Sequence, residues 1–169
     1  MLTLVRHLLA ILLLPVVVTI VMPSWLMTRY ASIDSRWSDP VRWPARGLGV
    51  LVLVAGVSLF LWCVVLFARV GRGTLAPWDP TQRLVAVGPY RYVRNPMISG
   101  VATILAGQAL ITGSWVIALW LLVFVAINQT YFLLSEEPGL ERRFGDSYRE
   151  YKARVPRWIP RRPADPESR

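Results

Sequence analysis

The sequence predicts an all-α integral membrane protein with four transmembrane helices, the last two forming a helical hairpin, plus a cytoplasmic amphipathic C-terminal helix. Two observations predict this class. Apolar residues, counting Tyr, make up 54% of the 169 residues and charged residues only 17%, against about 25% charged in an ordinary soluble domain. The apolar residues also form long uncharged runs, which neither a disordered chain nor a one-domain soluble enzyme contains.

Three runs contain no Asp, Glu, Lys or Arg, namely residues 7–28, 47–68 and 95–135. A transmembrane helix needs about 20 apolar residues, so the first two runs predict one span each. The third run fits two arms, Met97 to Ile111 and Trp115 to Leu134, with a turn at Thr112-Gly113-Ser114. The alternative for the short first arm is a re-entrant segment.

The first run has a second interpretation, a cleaved signal peptide. We favour a retained helix, kinked at Pro15, because the apolar stretch is long and no small-residue cleavage pattern follows Met22 directly. The chain then divides into an N-terminal two-helix membrane region (1–70), a core (71–160) and a polar tail (161–169).

The basic residues predict the orientation. With four spans, the N-terminus, the second loop and the tail share one side of the membrane and hold 15 of the 19 Lys and Arg residues. The positive-inside rule places that side, with both termini, in the cytoplasm. The net charge of +9 therefore indicates topology and anionic lipid rather than a nucleic-acid partner.

Single residues exclude several chemistries. Cys63 is the only cysteine and His7 the only histidine, which excludes a disulfide within the chain, a thiolate metal cluster and a Ser-His-Asp triad; we expect no metal. Residues 71–76 match G-x-G-x-x-A, but they follow an apolar helix, with Pro77 and Pro80 after them. We interpret this segment as a connector and not as a dinucleotide site.

A polar segment precedes the third span. Gly88-Pro89 predicts a turn, and Asn95 is a plausible N-cap with Pro96 in the first helical turn. The free N–H groups of such a helix start suit a carboxylate or phosphate, and Arg94 adds a positive charge. The alternative is an aromatic and basic belt at the membrane edge.

A second polar segment, Glu136-Glu137-Pro138, follows the fourth span. Two carboxylates at a helix C-terminus oppose the helix dipole and require a cationic partner. That partner is Arg91, Arg94 or a cationic ligand. Because both ends of a hairpin lie on one side of the membrane, the two polar segments should face the same volume.

An amphipathic helix is predicted after Pro138, which restarts the chain. Its apolar face consists of Leu140, Phe144, Tyr148, Tyr151 and Val155. Gly145 weakens this helix by about 1 kcal/mol relative to Ala, and Pro156 and Pro160 end it in an extended strap. The resulting pocket suits a small zwitterion with an extra positive charge, and a lipophilic second substrate can enter from the bilayer.

Three segments carry a family resemblance: GPYRYVRNP, the EE pair and FGDSYREYKARVP. In this order and spacing they resemble the isoprenylcysteine carboxyl methyltransferase superfamily of integral-membrane enzymes, which includes phospholipid methyltransferase relatives. The upstream GRGTLAPWDPTQRLV is similar to a bacterial branch. The resemblance covers roughly residues 71–160 and implies a membrane methyltransferase, in the inner membrane of a bacterium.

The resemblance also implies a cofactor, S-adenosylmethionine, with S-adenosylhomocysteine as product, and a lipophilic acceptor. The cofactor contacts that it implies in this chain are Gln82, Arg83, Leu84, Val85, Tyr90, Asn95, Pro96, Met97, Ile98 and Glu136. Arg94 or Glu137 would orient the acceptor. In the alternative, Arg94 only pairs with one of the two glutamates. No catalytic base is assigned.

Three positions depart from the family pattern. Asn95 stands where the family commonly has His, and Ile98 stands where it has Tyr, so one hydroxyl contact is lost. Phe132 replaces the Arg that prenylcysteine enzymes carry four residues before the first Glu, so we expect a different lipophilic acceptor. Two rival functions are a sterol-reductase-like enzyme using NADPH and a non-enzymatic membrane scaffold.

Overall fold

The computed structural model describes residues 14–34, 39–70 and 86–161, and these ranges contain helices and no β-strand. The helices are α1 (Leu14–Arg29), α2 (Asp39–Val70), α3 (Pro96–Thr112), α4 (Trp115–Tyr131), α5 (Glu137–Phe144) and α6 (Asp146–Arg154). The predicted all-α class is confirmed for them. His7, the G-x-G-x-x-A connector, Gln82, Arg83, Leu84 and Val85 lie outside the described residues.

Two of the helical stretches are long and apolar enough to cross a membrane, Val41–Leu66 and Trp115–Phe144. The second combines α4 and α5, and its charged residues begin only at Glu136. Helices α1 and α3 are apolar but shorter. The structure therefore supports a membrane protein, while the number of spans stays a prediction. The polar end from Glu136 onward lies beyond the apolar part of the helix, which ends at Leu134.

The connection between α3 and α4 has the chemistry that its residues predict. Gly113 adopts φ 71°, a left-handed conformation that favours glycine. The Ser114 hydroxyl accepts a hydrogen bond of 3.2 Å from the N–H of Ile117 and so caps α4. The helices then pack against each other through Val101, Leu105 and Phe124, together with Phe60 from α2.

Helices α2 and α3 approach each other along a seam of glycines that the sequence analysis did not identify. Gly49 and Gly56 on α2 face Gly107 and Gly100 on α3, and a Cβ added at Gly56 would lie 2.7 Å from the backbone N of Ile104. Small residues allow helix backbones to approach closely where the surrounding solvent is lipid. The seam thus packs α2 closely along the length of α3.

Helix α1 contains a π-helical turn, Val17–Val21, in which the N–H of Met22 donates to the carbonyl of Val17. The next residue, Pro23, has no N–H to donate, so carbonyls in this turn lose their usual partner. Side chains replace it: Trp120 Nε1 donates to the Val18 carbonyl (3.0 Å) and Gln108 Nε2 to the Thr19 carbonyl (2.6 Å). Side chains of α3 and α4 thus hold the π-helical turn before Pro23, while the kink at Pro15 stays a prediction.

A second π-helical turn, Phe132–Glu136, joins α4 to α5, and here too the turn ends two residues before a proline, Pro138. The chain does not restart at Pro138 as predicted, because the wider turn accommodates the missing N–H and the helix continues to Phe144. The predicted single amphipathic helix is instead divided at Gly145, whose φ is 53°. Its predicted apolar face does form one buried cluster, through Tyr148, Tyr151 and Val155 with Leu140 and Phe144.

Replacing Gly56 by Ala should destabilise the protein, because the new methyl group would press on the α3 backbone at Ile104 and Gly100. We expect a loss of about 1–3 kcal/mol, measured as thermal unfolding in detergent micelles. Gly47→Ala is the matched control, since a Cβ there has nothing within 4 Å and gains the same helix propensity. Equal melting temperatures for the two variants would contradict the close seam.

Trp120→Phe should also lower stability, because it keeps an aromatic ring but removes the N–H that satisfies the Val18 carbonyl. An unsatisfied buried carbonyl costs about 1–3 kcal/mol. The same thermal unfolding assay measures the loss, with Trp43→Phe as control because Trp43 is 72% exposed. An unchanged melting temperature for Trp120→Phe would show that the π-helical turn does not need this donor.

Candidate functional site

The loop before α3 forms one wall of the site. A 3-10 turn at Gly88–Arg91 begins with Gly88 at φ 58°, and Pro96 is the first residue of α3. Asn95 occupies the predicted N-cap position, but its side chain makes no capping hydrogen bond. The N-cap side chain therefore leaves the first-turn N–H groups of α3 without a local cap, and these groups are a suitable place for an anionic group.

The buried carboxylate of Glu137 forms the centre of the site and binds three cations. Its Oε1 lies 3.0 Å from Arg94 Nη1 and 2.6 Å from Arg157 Nη2, and Arg157 Nε donates to it at 2.8 Å. Its Oε2 lies 3.2 Å from Lys152 Nζ. The cations come from the loop before α3, from α6 and from the strap. The two predicted polar segments thus meet, and Arg94 rather than the exposed Arg91 is the partner.

This cluster keeps Glu137 ionised. Burial by itself would raise the pKa of the carboxyl, but hydrogen bonds from Arg157 and Lys152 and the charge of Arg94 outweigh burial and lower the pKa. Because a buried charge without its partner is costly, removing one member of such a group typically costs about 3–5 kcal/mol. Glu137 therefore holds the loop before α3, α6 and the strap together.

The neighbouring carboxylate, Glu136, is in a different state. It is half-buried and makes no hydrogen bond or ion pair within the part of the chain that the structure describes. Burial, and then the negative charge of Glu137, raise the pKa of Glu136 to about 7. Successive residues on a helix point in directions about 100° apart, which explains how adjacent glutamates reach such different surroundings. A cationic ligand group would relieve the cost of ionising Glu136.

An aromatic cluster covers this site. Tyr148 and Tyr151 of α6 are buried with their ring centroids 6.1 Å apart, and the Tyr151 hydroxyl donates to the Tyr90 carbonyl at 2.7 Å. This contact joins α6 to the loop before α3. The predicted apolar face of the amphipathic helix thus forms an aromatic lid, Tyr148 and Tyr151, that is packed over the loop before α3.

The strap, predicted at residues 155–160, runs together with Arg161 along the same loop. The N–H of Arg94 donates to the Pro156 carbonyl at 2.9 Å and the N–H of Arg161 to the Tyr92 carbonyl at 3.3 Å. Trp158 Nε1 donates to Gln129 Oε1 at 2.8 Å, and its ring lies 5.8 Å from that of Phe132. Phe132, which stands where prenylcysteine enzymes carry an Arg, thus packs against Trp158 of the strap.

Three further predicted cofactor contacts, Tyr90, Met97 and Ile98, have side chains in apolar surroundings. Tyr90 is buried against Cys63, with Met97 beside them, and Ile98 packs against the apolar core. At Met97 and Ile98 the backbone, rather than the side chain, is thus the group suited to a ligand. Four residues of the site are not predicted from the sequence, namely Lys152, Arg157, Gln129 and Trp158. The one available signal was an Arg and a Trp placed between two prolines in the strap.

Comparisons with known proteins match part of the chain. A family model described as phospholipid methyltransferase matches residues 45–147, more than half of the chain. This range includes most of α2, all of α3 to α5, and both glutamates, while Lys152 and the strap follow it. An uncharacterized protein of Haemophilus influenzae (strain ATCC 51907 / DSM 11121 / KW20 / Rd) is 36% identical over 56 residues, which are 33% of this chain and 89% of that protein.

Stability should depend on pH through Glu136. Its pKa is about 7 in the folded protein against 4.5 for an ordinary glutamate, so the folded state binds more protons than the unfolded state between these values. This group therefore makes the protein less stable as the pH rises from about 5 to about 8. The Glu136→Gln variant has no carboxyl to ionise here, so it does not lose this stability. Between about pH 5 and about pH 8, its free energy of unfolding should therefore rise relative to that of the wild type by on the order of 2 kcal/mol.

Thermal unfolding in detergent at several pH values measures this difference. Glu137→Gln is the contrasting variant, because the pKa of Glu137 is lowered and its ionised form stabilises the fold; this variant should be less stable than the wild type at neutral pH. A difference between Glu136→Gln and wild type that does not change with pH would contradict the state assigned to Glu136.

Proposed function

The chain belongs to the phospholipid methyltransferase family, and from this premise we propose that it transfers a methyl group from S-adenosylmethionine to a lipophilic acceptor at the cytoplasmic membrane face. Membership implies methyltransferase activity in general, and the apolar helices support a membrane location. The cofactor, the class of acceptor and the face of the membrane are the parts that we add.

One observation carries the proposal. The Glu136 carboxylate has no partner among the described residues. The next residue, Glu137, binds Arg94. Arg94 directly precedes Asn95, the N-cap of α3, whose side chain makes no capping hydrogen bond. The site thus offers an anionic group and a set of free N–H groups. A ligand with an ammonium and a carboxylate suits this combination, and S-adenosylmethionine has both.

The residues fit the cofactor as follows. Glu136 would accept from the ammonium, and the α3 start at Asn95, Pro96, Met97 and Ile98 would hold the carboxylate. Tyr90 and the preceding residues Gln82, Arg83, Leu84 and Val85 stay proposed contacts. When bound, S-adenosylmethionine would supply an electrophilic sulfonium methyl group and leave as S-adenosylhomocysteine. The aromatic lid would exclude water, which helps to position the reacting groups.

The acceptor is proposed to be a lipid or other lipophilic molecule that reaches the site from the bilayer. Arg94 and Glu137 bind each other. This contact favours the alternative in which Arg94 only pairs with a glutamate, and it argues against a role of either residue in orienting the acceptor. Phe132, buried beside the strap, offers no cation for a prenylcysteine carboxylate. An acceptor that is already a nucleophile needs no strong general base, and we assign none.

The topology belongs to the same proposal. Four spans, with the helices α3 and α4 as a membrane hairpin, would place both termini and the site in the cytoplasm, in the inner membrane of a bacterium. The basic residues support this orientation. The family match does not favour the sterol-reductase-like or scaffold alternatives.

The test uses purified full-length protein and two ligands. We expect saturable binding of S-adenosylhomocysteine, measured by isothermal titration calorimetry in detergent, with no effect of NADPH. Glu136→Gln should weaken this binding at least tenfold, because the neutral amide loses the charge that faces the ammonium. Glu150→Gln is the matched control, since Glu150 is exposed and pairs only with Arg154 among the described residues.

A second measurement follows the methyl group itself. Membranes that contain the protein should transfer a methyl label from S-adenosylmethionine into the lipid extract, and the labelled product identifies the acceptor. Binding of NADPH in place of S-adenosylhomocysteine would support the reductase, and binding of neither would support the scaffold. Unchanged transfer by Glu136→Gln would overturn the assignment of Glu136.

A further inference from the structure

Three separate segments of the chain depend on the one carboxylate of Glu137. Arg94 approaches it from the loop before α3, Lys152 from α6 and Arg157 from the strap. Glu137 is 5% exposed, and the side chains of Arg94 and Arg157 are only 11% and 16% exposed. Such buried charges hold each other strongly, because removing one leaves the others without compensation.

Arg157 makes the contact that fastens the strap. Two of its nitrogens lie within 2.8 Å of Glu137 Oε1, a charge-assisted geometry that is stronger than a neutral hydrogen bond. The strap also makes two backbone hydrogen bonds to the loop, of 2.9 Å and 3.3 Å, and its Trp158 donates to Gln129 of α4. Arg157 thus supplies the charged contact that joins the strap to α5.

The strap in turn fixes the start of α3. Arg94 is held at both ends, since its N–H donates to the strap and its guanidinium binds Glu137. The following residue, Asn95, does not cap α3 with its side chain. The position of this helix start therefore depends on Arg94 rather than on a local cap, and so on the strap and Glu137.

We infer that Glu137 is a positioning residue, which fastens the strap over the loop before α3 and thereby holds the α3 start and Glu136 in place for the cofactor. The inference rests on the proposed function for its cofactor. It gives the two adjacent glutamates separate tasks: Glu136 binds the ligand, and Glu137 binds only the chain.

The first arm of the test needs no cofactor. Trypsin cleaves after Arg157, and in the intact full-length protein in detergent this bond should be protected because Arg157 is buried against Glu137. Glu137→Gln should increase the rate of cleavage there at least tenfold, measured by mass spectrometry. Glu150→Gln should change it less than twofold, because its partner Arg154 is exposed. Equal protection in Glu137→Gln and wild type would overturn the inference.

The second arm measures S-adenosylhomocysteine binding by the same proteins. Glu137→Gln should raise the dissociation constant at least tenfold, and Arg157→Gln should do the same although it lies in the strap. Arg157→Lys keeps the charge and should restore most of the affinity. The double variant Glu137→Gln/Arg157→Gln should be no weaker than Glu137→Gln alone, since Glu137→Gln already removes the contact that Arg157 makes. Additive losses would overturn the inference, because they would mean that Arg157 acts on the cofactor site without Glu137.

The outcomes separate this inference from the proposed function. If the wild type does not bind S-adenosylhomocysteine, the proposed function fails and the positioning role fails with it, while the cleavage arm still reports whether Glu137 fastens the strap. If the wild type binds and the strap is released with no change in affinity, the positioning role alone is overturned. Should Glu137→Gln not fold, Arg157→Lys and Arg157→Gln, which leave the glutamate in place, carry the binding arm. Because Arg157→Gln removes the tryptic site, chymotrypsin, which cleaves after Trp158 in the same strap, then replaces trypsin in the cleavage arm.

Discussion

The ion pairs of the buried Glu137 carboxylate are the interaction on which the polar half of this structure depends. Removing an ionised carboxylate from water costs several kcal/mol unless cations and hydrogen bonds replace the lost hydration. Here Arg94, Lys152 and Arg157 supply both. They lie in segments far apart in the sequence, so satisfying one charge obliges the loop before α3, α6 and the strap to converge. The pocket wall is a consequence of that convergence.

A second constraint acts in the apolar half, where every backbone polar group needs a partner within the protein. The two π-helical turns precede Pro23 and Pro138, and side chains or the wider helical register compensate for the N–H that proline lacks. The glycine seam brings α2 against α3. This packing also places Cys63 of α2 beneath Tyr90, so the membrane helices support the loop that carries the site.

The two adjacent glutamates differ in their surroundings although they lie within one helical turn. Glu137 is neutralised by the chain, whereas Glu136 makes no ion pair among the described residues and has a pKa of about 7 because of burial and its neighbour's charge. A site of this kind stores an unfavourable charge that a cationic ligand can relieve. The match to the phospholipid methyltransferase family over residues 45–147 is consistent with a small charged cofactor and a lipid acceptor meeting at the membrane edge.

The sequence by itself determined the all-α class, the turn at Gly113-Ser114, the start of α3 at Pro96 and the meeting of the Arg94 and Glu137 segments. These follow from run lengths, turn chemistry and charge, which are local or nearly local properties. The glycine seam, the continuous helix through Pro138 and the cations of Lys152 and Arg157 were decided by the tertiary structure. The seam and the ion pairs are contacts between residues distant in sequence, and only the packed chain shows which glycine faces a backbone or which arginine reaches a buried carboxylate. The helix continues through Pro138 because a π-helical turn accommodates the missing N–H.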